Sequence, residues 1–290
     1  MTYTPILIGG ATGATGSVAT KLLLNKGFSI RAFVHKDDDR THKLRALGAD
    51  IFVGELLDFR AVRRAFEGIK RAYFVYPIRP GLVQATAHYA QAALEAKAEF
   101  IVNMSQRTAR PDALSDSALQ HWLAERVFDW AGTPVTHLRS TVFNEWLLYV
   151  RKGIRNGQYR VPFGPTGKFA TISAEDQGAV IAEILANPEP HAGQTYPLFG
   201  PAELTPPEIA EIVSQTLGKP VRYEHITGAQ WVEEASKAPG NPFLIQHSSA
   251  VAEMHALGQT AGTNDVVERI TGRKPQSVAE FVEKHRAAFQ

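Results

Sequence analysis

The chain has 290 residues, of which 44% are hydrophobic and 21% are charged, as is usual for a globular protein. It contains no cysteine, which excludes disulfides, thiolate metal sites and a cysteine nucleophile. Its 31 Lys and Arg against 29 Asp and Glu give no reason to expect nucleic acid or an anionic membrane as a partner. No basic segment precedes a long apolar run at the start, so we expect a cytoplasmic protein without a membrane span.

Six short apolar runs alternate with amphipathic stretches over the first half of the chain. The runs are rich in β-branched and aromatic residues, which predicts buried strands, and the stretches between them predict helices. Glycines stand where four of these helices should end. The alternation indicates an α/β fold with a Rossmann-type, doubly wound parallel sheet. The predicted strands are 6–8, 30–34, 51–53, 72–75, 100–102 and 135–138; the predicted helices are 15–26, 39–47, 59–67, 82–97 and 116–131; the glycines are Gly27, Gly48, Gly68 and Gly132.

The pattern changes after about residue 150, where Gly and Pro become frequent and the alternation weakens. Helical periodicity returns near 175–186, 206–217, 228–237 and 276–288. We therefore predict an NAD(P)-binding domain over residues 1–150. A smaller mixed α/β lobe over residues 151–290 would bind substrate and pack on the first without folding independently.

A glycine-rich turn follows the first predicted strand and opens the first predicted helix. In this G-x-x-G-x-x-G pattern the first glycine permits a tight turn and the second lets the backbone approach a pyrophosphate. The third allows the helix to pack close to the strand, and the helix N-terminus attracts the anion. The pattern predicts a dinucleotide site formed by Gly10, Thr12, Gly13, Ala14, Thr15 and Gly16.

The residues after the second predicted strand bear on the choice between NADP(H) and NAD(H). NAD-specific sites usually place a carboxylate here, whereas His35 and Lys36 come first in this chain and Asp37 and Asp38 follow. A cation favours a 2′-phosphate, so we predict that NADP(H) is preferred and that His35 and Lys36 contact it. The alternative is a solvated turn in which Asp37 or Asp38 caps the next helix.

Segments spread over nearly the whole chain resemble the NmrA-like branch of the atypical short-chain dehydrogenases/reductases. They are the glycine turn at 10–16 and the segments 54–58, 138–145, 167–170, 174–176, 196–201 and 204–205. That family includes NAD(P)H-dependent quinone, azo-dye and triphenylmethane-dye reductases. It also includes redox-sensing regulators that bind dinucleotides without turning them over.

The resemblance implies further cofactor contacts. Asp58 would lie beside the adenine end, and Tyr76, Pro77 and Asn103 would line the nicotinamide. The chain departs from the family pattern at three positions, where His35 replaces an Arg, Glu55 replaces an Asp and Ser140 replaces a Pro.

Short-chain dehydrogenases typically protonate their substrate with a Tyr-x-x-x-Lys pair, but no tyrosine here has a lysine four residues later. His121 occupies the corresponding helix, four residues before Glu125, which would raise the pKa of the imidazole. We predict His121 and Ser105 as the catalytic residues. The alternative for His121 is a surface ion pair, opposite an apolar stripe that comprises Leu119, Leu123, Val127 and Trp130. Ser105 could instead satisfy backbone groups.

Aromatic residues after the sixth strand predict an apolar pocket for a flat substrate, with walls formed by Phe143, Trp146, Phe163 and Phe243. The leading hypothesis is an NAD(P)H-dependent reductase of a small planar or conjugated, quinone-like electrophile. The alternatives are a non-catalytic NADP(H) sensor acting through a protein partner and a biosynthetic carbonyl or imine reductase. Both a monomer and a homodimer are compatible with the sequence.

Overall fold

A computed structural model describes residues 5–235 and 239–290. The strands are β1 (Ile6–Gly9), β2 (Ile30–Val34), β3 (Asp50–Val53), β4 (Arg71–Phe74), β5 (Phe100–Gln106), β6 (Val135–Ser140), β7 (Gln158–Val161), β8 (Thr195–Leu198) and β9 (Arg222–His225). Within these described residues, seven strands form one sheet in the order β3-β2-β1-β4-β5-β6-β8, and β7 pairs with β9 separately. The strand order reverses between β1 and β4, the point at which open α/β sheets bind ligands. The predicted Rossmann-type fold and all six predicted strands are confirmed.

The helices follow the predicted pattern closely in the first half of the chain. They are α1 (Ala14–Asn25), α2 (Asp39–Ala46), α3 (Phe59–Ala65), α4 (Leu82–Glu95), α5 (Asp116–Ala131), α6 (Trp146–Tyr149), α7 (Arg151–Arg155), α8 (Ala174–Ala186), α9 (Pro206–Leu217), α10 (Gly228–Ala235), α11 (Pro242–Ala256), α12 (Val266–Thr271), α13 (Val278–Lys284) and α14 (Arg286–Phe289), with a 3-10 turn at Glu189–His191. The four helix-ending glycines have φ between +76° and +100°, as a left-handed terminus requires. Among the described residues, none of the helices combines the length and the hydropathy that a membrane-spanning segment requires.

The chain folds into two compact units, each built from several segments. Of the described residues, unit 1 comprises 5–106, 120–139 and 174–196, and unit 2 comprises 107–119, 140–173, 197–235 and 239–290. Residues 174–196, which the sequence places in the second lobe, therefore belong to unit 1. The assignment of cofactor binding to 1–150 and substrate binding to 151–290 stays a prediction.

Each unit has its own aromatic core. In unit 1, Phe74 packs edge-on against Phe128 of α5 at 5.3 Å, and Tyr89 of α4 packs against Phe66 at 4.7 Å. On α8 of unit 1, a Cβ added to Gly178 would lie 2.5 Å from Val18 of α1, so only glycine permits this close helix packing. In unit 2, Phe163 and Phe169 contact each other at 5.1 Å within a core formed around β7, β9, α9 and α13.

Candidate functional site

The glycine turn of unit 1 has the geometry of a tight strand-to-helix connection. Gly10 has φ +59°, and the Gly13 N–H donates to the Gly10 carbonyl at 2.8 Å. A Cβ on Gly16 would lie 2.4 Å from that carbonyl oxygen, so a side chain there would force α1 away from β1. The turn therefore requires glycine at position 10 because of its positive φ, and at position 16 because a Cβ would collide with the backbone.

The first turn of α1 presents backbone N–H groups at an exposed surface. Gly13 is the N-cap and has no side chain to cap the helix, while Gly13 and Ala14 are exposed and Thr12 is half-buried. Thr15 differs, because its hydroxyl lies 2.8 Å from the buried Tyr73 hydroxyl. Its side chain thus bonds to the sheet, and only its backbone N–H is offered to an anion. Burial raises the pKa of Tyr73 well above its usual value.

The end of β2 carries a cation and a histidine–carboxylate pair. His35 pairs with Glu55, and Lys36 is exposed. Asp38 caps α2 by accepting from the Arg40 N–H at 2.9 Å, as the alternative reading of this turn expects. The Asp37 carboxylate accepts from Thr41 and Arg45, which lowers the pKa of Asp37.

Three other predicted cofactor residues have structural partners of their own. Asp58 caps α3, its carboxylate accepting from the backbone N–H groups of Arg60 at 2.9 Å and Ala61 at 3.3 Å. Tyr76 is buried and donates its hydroxyl to the Pro80 carbonyl at 3.0 Å. Pro77, beside it, is exposed.

Asn103 of β5 belongs to a buried polar chain. Its amide nitrogen donates to His137 Nδ1 at 3.0 Å, and His137 Nε2 donates to Asp129 at 3.0 Å. Asn103 is fully buried, and its Oδ1 has no hydrogen-bond partner among the described residues. His137 and Asp129 therefore fix the donor end of this amide.

Ser105 of β5 donates its hydroxyl to Glu125 of α5 at 2.6 Å. Arg139 of β6 holds both oxygens of the same carboxylate, at 2.9 and 2.6 Å. Glu125 is fully buried, and a buried carboxylate is tolerated only with such partners. The hydrogen bond to Glu125 raises the pKa of Arg139. Since the Ser105 proton is directed at Glu125, the serine anchors this carboxylate.

The orientation of α5 is a correction to the sequence interpretation. The apolar stripe is not the buried face: Trp130 is 77% and Leu123 37% exposed, and Leu119 and Val127 are half-buried. His121 is only 5% exposed and shares the buried face with Glu125 and Phe128, so the surface alternative for His121 is wrong. Ser105 of β5 and Arg139 of β6 bond to Glu125 and so turn that face of α5 toward the sheet. The apolar periodicity of the helix does not contain this information.

The predicted substrate aromatics lie in unit 2. Trp146 stacks on Phe163 at 5.3 Å and on Trp231 at 4.5 Å. Phe143 bridges to Ile172 through its backbone. Phe243 is the exception: it follows the Asn241 cap of α11 and does not line the cavity that the other three share. Trp231 is a member of the cluster that the sequence did not single out.

A cavity of about 10 Å³ lies within unit 2, and its lining includes Phe143, Asn144, Trp146, Tyr159, Phe163 and Thr171. Asn144 is 1% exposed, and neither its Oδ1 nor its Nδ2 has a hydrogen-bond partner among the described residues. A buried, unpaired amide costs on the order of 1–3 kcal/mol, so its retention calls for an explanation. Sequence analysis missed this residue; the available signal was a single amide within an aromatic segment.

No group of three or more His, Asp or Glu residues in the described part of the chain is placed to hold a metal ion. The described residues thus carry two separate candidate sites, the glycine turn with the strand ends in unit 1 and the aromatic cavity in unit 2. Two features of unit 1 suit a dinucleotide. The first turn of α1 has no side-chain cap, so its backbone N–H groups can bind a phosphate, and Gly16 lets α1 pack closely against the turn that follows β1.

Comparison with known proteins gives consistent matches. The model of the NmrA-like family matches residues 2–286. An NAD(P)H azoreductase of Xenophilus azovorans is 33% identical over 98% of this chain and 99% of its own. The Escherichia coli quinone oxidoreductase crystallised with NADPH has a TM-score of 0.84 at 22% identity, covering 97% of this chain and 99% of its own. The Citrobacter triphenylmethane reductase has a TM-score of 0.83 at 21% identity, over 96% of this chain and 99% of its own.

Proposed function

We propose, from the premise that the chain belongs to the NmrA-like family, that it reduces a small planar or conjugated electrophile, such as a quinone or an azo compound, at the expense of NAD(P)H. The observation that carries this proposal is the glycine turn of unit 1. Gly13 and Ala14 are exposed and no side chain caps the helix, so the backbone N–H groups of Ala14 and Thr15 in the first turn of α1 can bind a pyrophosphate. The azoreductase relative and the quinone and dye reductases of the same fold support the choice of acceptor.

The arrangement of the strand ends favours acceptors that need no placed acid. NAD(P)H supplies the hydride when it is bound. The hydroxyl of Ser105 already donates to Glu125, and no Tyr-x-x-x-Lys pair exists. Quinones and azo compounds take their proton from water, whereas a simple ketone has a greater need of a positioned acid. His121 remains the predicted acid, and unimpaired turnover of a His121→Ala variant would remove it from that role.

The test is the loss of NADPH absorbance with a panel of quinones, azo dyes and enones. The sharpest variant is Ala14→Asp, which places a carboxylate at the exposed N-terminus of α1. A negative charge there stabilises the helix, so the melting temperature should hold or rise. The same charge repels a pyrophosphate, so the Kd for NADPH should rise at least tenfold. The matched control is Ala14→Asn, which has the same shape without the charge.

Two outcomes contradict the proposal in different ways. Tight NADPH binding without oxidation across the whole panel would favour a dinucleotide sensor. Equal NADPH affinity of the Ala14→Asp and Ala14→Asn proteins would instead remove the pyrophosphate from the start of α1.

We infer that NADP(H) is preferred over NAD(H), on the basis of Lys36 and His35. Lys36 is exposed at the end of β2, where a 2′-phosphate would gain a cation. His35 pairs with Glu55, whose carboxylate opposes that phosphate. Replacing His35 and Lys36 together by Asp should raise the Kd for NADPH by about 10- to 100-fold, with little change for NADH. Glu55→Gln should shift the ratio the other way, and an unchanged ratio in both variants would overturn the inference.

A further inference from the structure

We propose that Asn144 binds an oxygen atom of the electron acceptor, and that this acceptor is a quinone-type carbonyl compound with at least one oxygen free of flanking alkyl groups. The inference rests on the proposed reductase function, and it names the class of substrate that the cavity of unit 2 would bind. It assigns a specificity role to a residue outside the aromatic set that the sequence predicts.

Both backbone polar groups of Asn144 are hydrogen-bonded, whereas the polar atoms of its side chain are not. The Asn144 N–H donates to the Ile172 carbonyl at 2.9 Å, and its carbonyl accepts from the Leu147 N–H at 3.0 Å. These bonds hold the segment in place whatever side chain it carries. The amide itself is 1% exposed and has no partner for either polar atom among the described residues. Its conformation thus leaves a donor and an acceptor available to a ligand.

The cavity beside Asn144 limits what that ligand can place there. A space of about 10 Å³ holds a single water-sized atom, which excludes a ring and admits one oxygen. Its walls include Trp146, Phe163 and Tyr159, so the surroundings of that oxygen are aromatic. A methyl group next to the oxygen would have to enter the same space. The acceptor ring itself would rest on the partly exposed faces of Phe143 and Trp146.

An amide suits an oxygen that changes its hydrogen-bonding role during the reaction. A quinone, NAD(P)H and one proton yield a hydroquinone and NAD(P)⁺, so a carbonyl acceptor becomes a hydroxyl donor. The Asn144 Nδ2 donates to the first, and its Oδ1 accepts from the second. One side chain therefore serves both substrate and product.

The experiment compares three acceptors in turnover with NADPH. They are 1,4-benzoquinone, 2,6-dimethyl-1,4-benzoquinone, which keeps one open oxygen, and the tetramethyl quinone, in which both oxygens are flanked. For the unmodified protein kcat/KM should fall at least tenfold only at the tetramethyl compound. Asn144→Leu, nearly isosteric and apolar, should lower kcat/KM for the first two about tenfold through KM and so abolish the preference. Asn25→Leu, the same exchange at an exposed position at the end of α1, should retain it.

A second variant and a second readout keep the proposal testable by itself. Asn144→Ser enlarges the cavity and should raise kcat/KM for the tetramethyl quinone. Phenol binding, followed by quenching of tryptophan fluorescence, needs no turnover, and its Kd should rise about tenfold in Asn144→Leu. If the unmodified protein reduces no quinone but this phenol effect is present, the reductase function fails and the Asn144 site stands. If quinones are reduced and Asn144→Leu changes neither KM nor the phenol Kd, the amide serves only an ordered water and the proposal is overturned.

Discussion

Glu125 of unit 1 and Asn144 of unit 2 are both buried polar side chains, but their surroundings are opposite. Glu125 receives hydrogen bonds from Ser105 and from both ends of the Arg139 guanidinium. Asn144 faces an aromatic cavity and has no partner for its amide among the described residues. A buried group whose bonds are satisfied within the chain stabilises the fold, whereas one left unpaired within the chain can bond to a ligand or to water.

Whether a buried polar side chain has hydrogen-bond partners within the chain distinguishes a structural from a functional role better than its residue type does. Ser105 is a catalytic candidate by sequence, yet its hydroxyl is committed to Glu125. Asn144 was given no role by the sequence, yet both polar atoms of its amide lack a partner among the described residues. Substitution of Glu125 should therefore lower the stability of the fold, whereas substitution of Asn144 should weaken ligand binding and leave the stability intact.

The largest effect on stability is expected at Glu125. Glu125→Ala leaves the Arg139 guanidinium without its carboxylate and the Ser105 hydroxyl without its acceptor. Removing one partner of a fully buried ion pair costs about 3–5 kcal/mol; since Arg139 is half-buried, we expect a loss at the lower end of that range, which urea unfolding monitored by circular dichroism would measure. Glu125→Gln keeps the shape and part of the hydrogen bonding, so it should lose less. A loss below about 1 kcal/mol for Glu125→Ala would mean that the network contributes little, and the contrast with Asn144 would disappear.

The next effect concerns pH and lies in unit 2. Burial lowers the pKa of His247 to about 4, and its Nδ1 lies 2.7 Å from the Ser115 hydroxyl. In the unfolded chain a histidine titrates near 6.5. The unfolded chain therefore binds the extra proton between these values, and stability that is present above pH 6.5 is lost as the pH falls toward 4. At pH 5 the loss from His247 amounts to roughly 2 kcal/mol.

Urea unfolding at pH 7 and pH 5 measures this dependence. His247→Asn, whose amide can still pair with Ser115, should reduce the difference between the two pH values. His42→Asn is the control, because that imidazole is exposed on α2. An equal pH dependence in all three proteins would contradict a neutral buried His247.

The fold was predictable from the sequence because its signals are local. Gly10 and Gly27 flank the first helix with positive φ angles of +59° and +85°, and the strands of the first half are continuous apolar runs. The strands of the second half, such as β7 and β9, are four residues long and half exposed, so no pattern indicates them. The helix α11 also escaped prediction, although Asn241 and Pro242 form a recognisable N-terminus.

The site was only partly predictable, for a different reason. The glycine turn is contiguous in sequence, whereas the partners of Glu125 come from β5 and β6, and those of Asn103 from β6 and α5. Hydrogen bonds to polar groups on those strands bury the face of α5 that carries His121 and Glu125, which contradicts the surface alternative for His121 and leaves Trp130 of the apolar stripe exposed. For Asn144 the sequence shows only a single amide within an aromatic segment, and whether that amide has partners depends on residues distant in the chain.

The smallest change in stability is expected for Asn144→Leu, and it tests directly whether the amide of Asn144 is unpaired in the folded protein. Replacing an unpaired buried amide by an apolar side chain of similar size removes a desolvation cost, so the free energy of unfolding should stay equal or rise by up to about 1 kcal/mol. The same substitution is expected to weaken acceptor binding, which is the trade-off of a side chain kept for function. Urea unfolding of Asn144→Leu beside Glu125→Gln compares the two kinds of buried group directly. A loss above about 1 kcal/mol in Asn144→Leu would mean that its amide is satisfied within the folded protein, and Asn144 would then belong with Glu125.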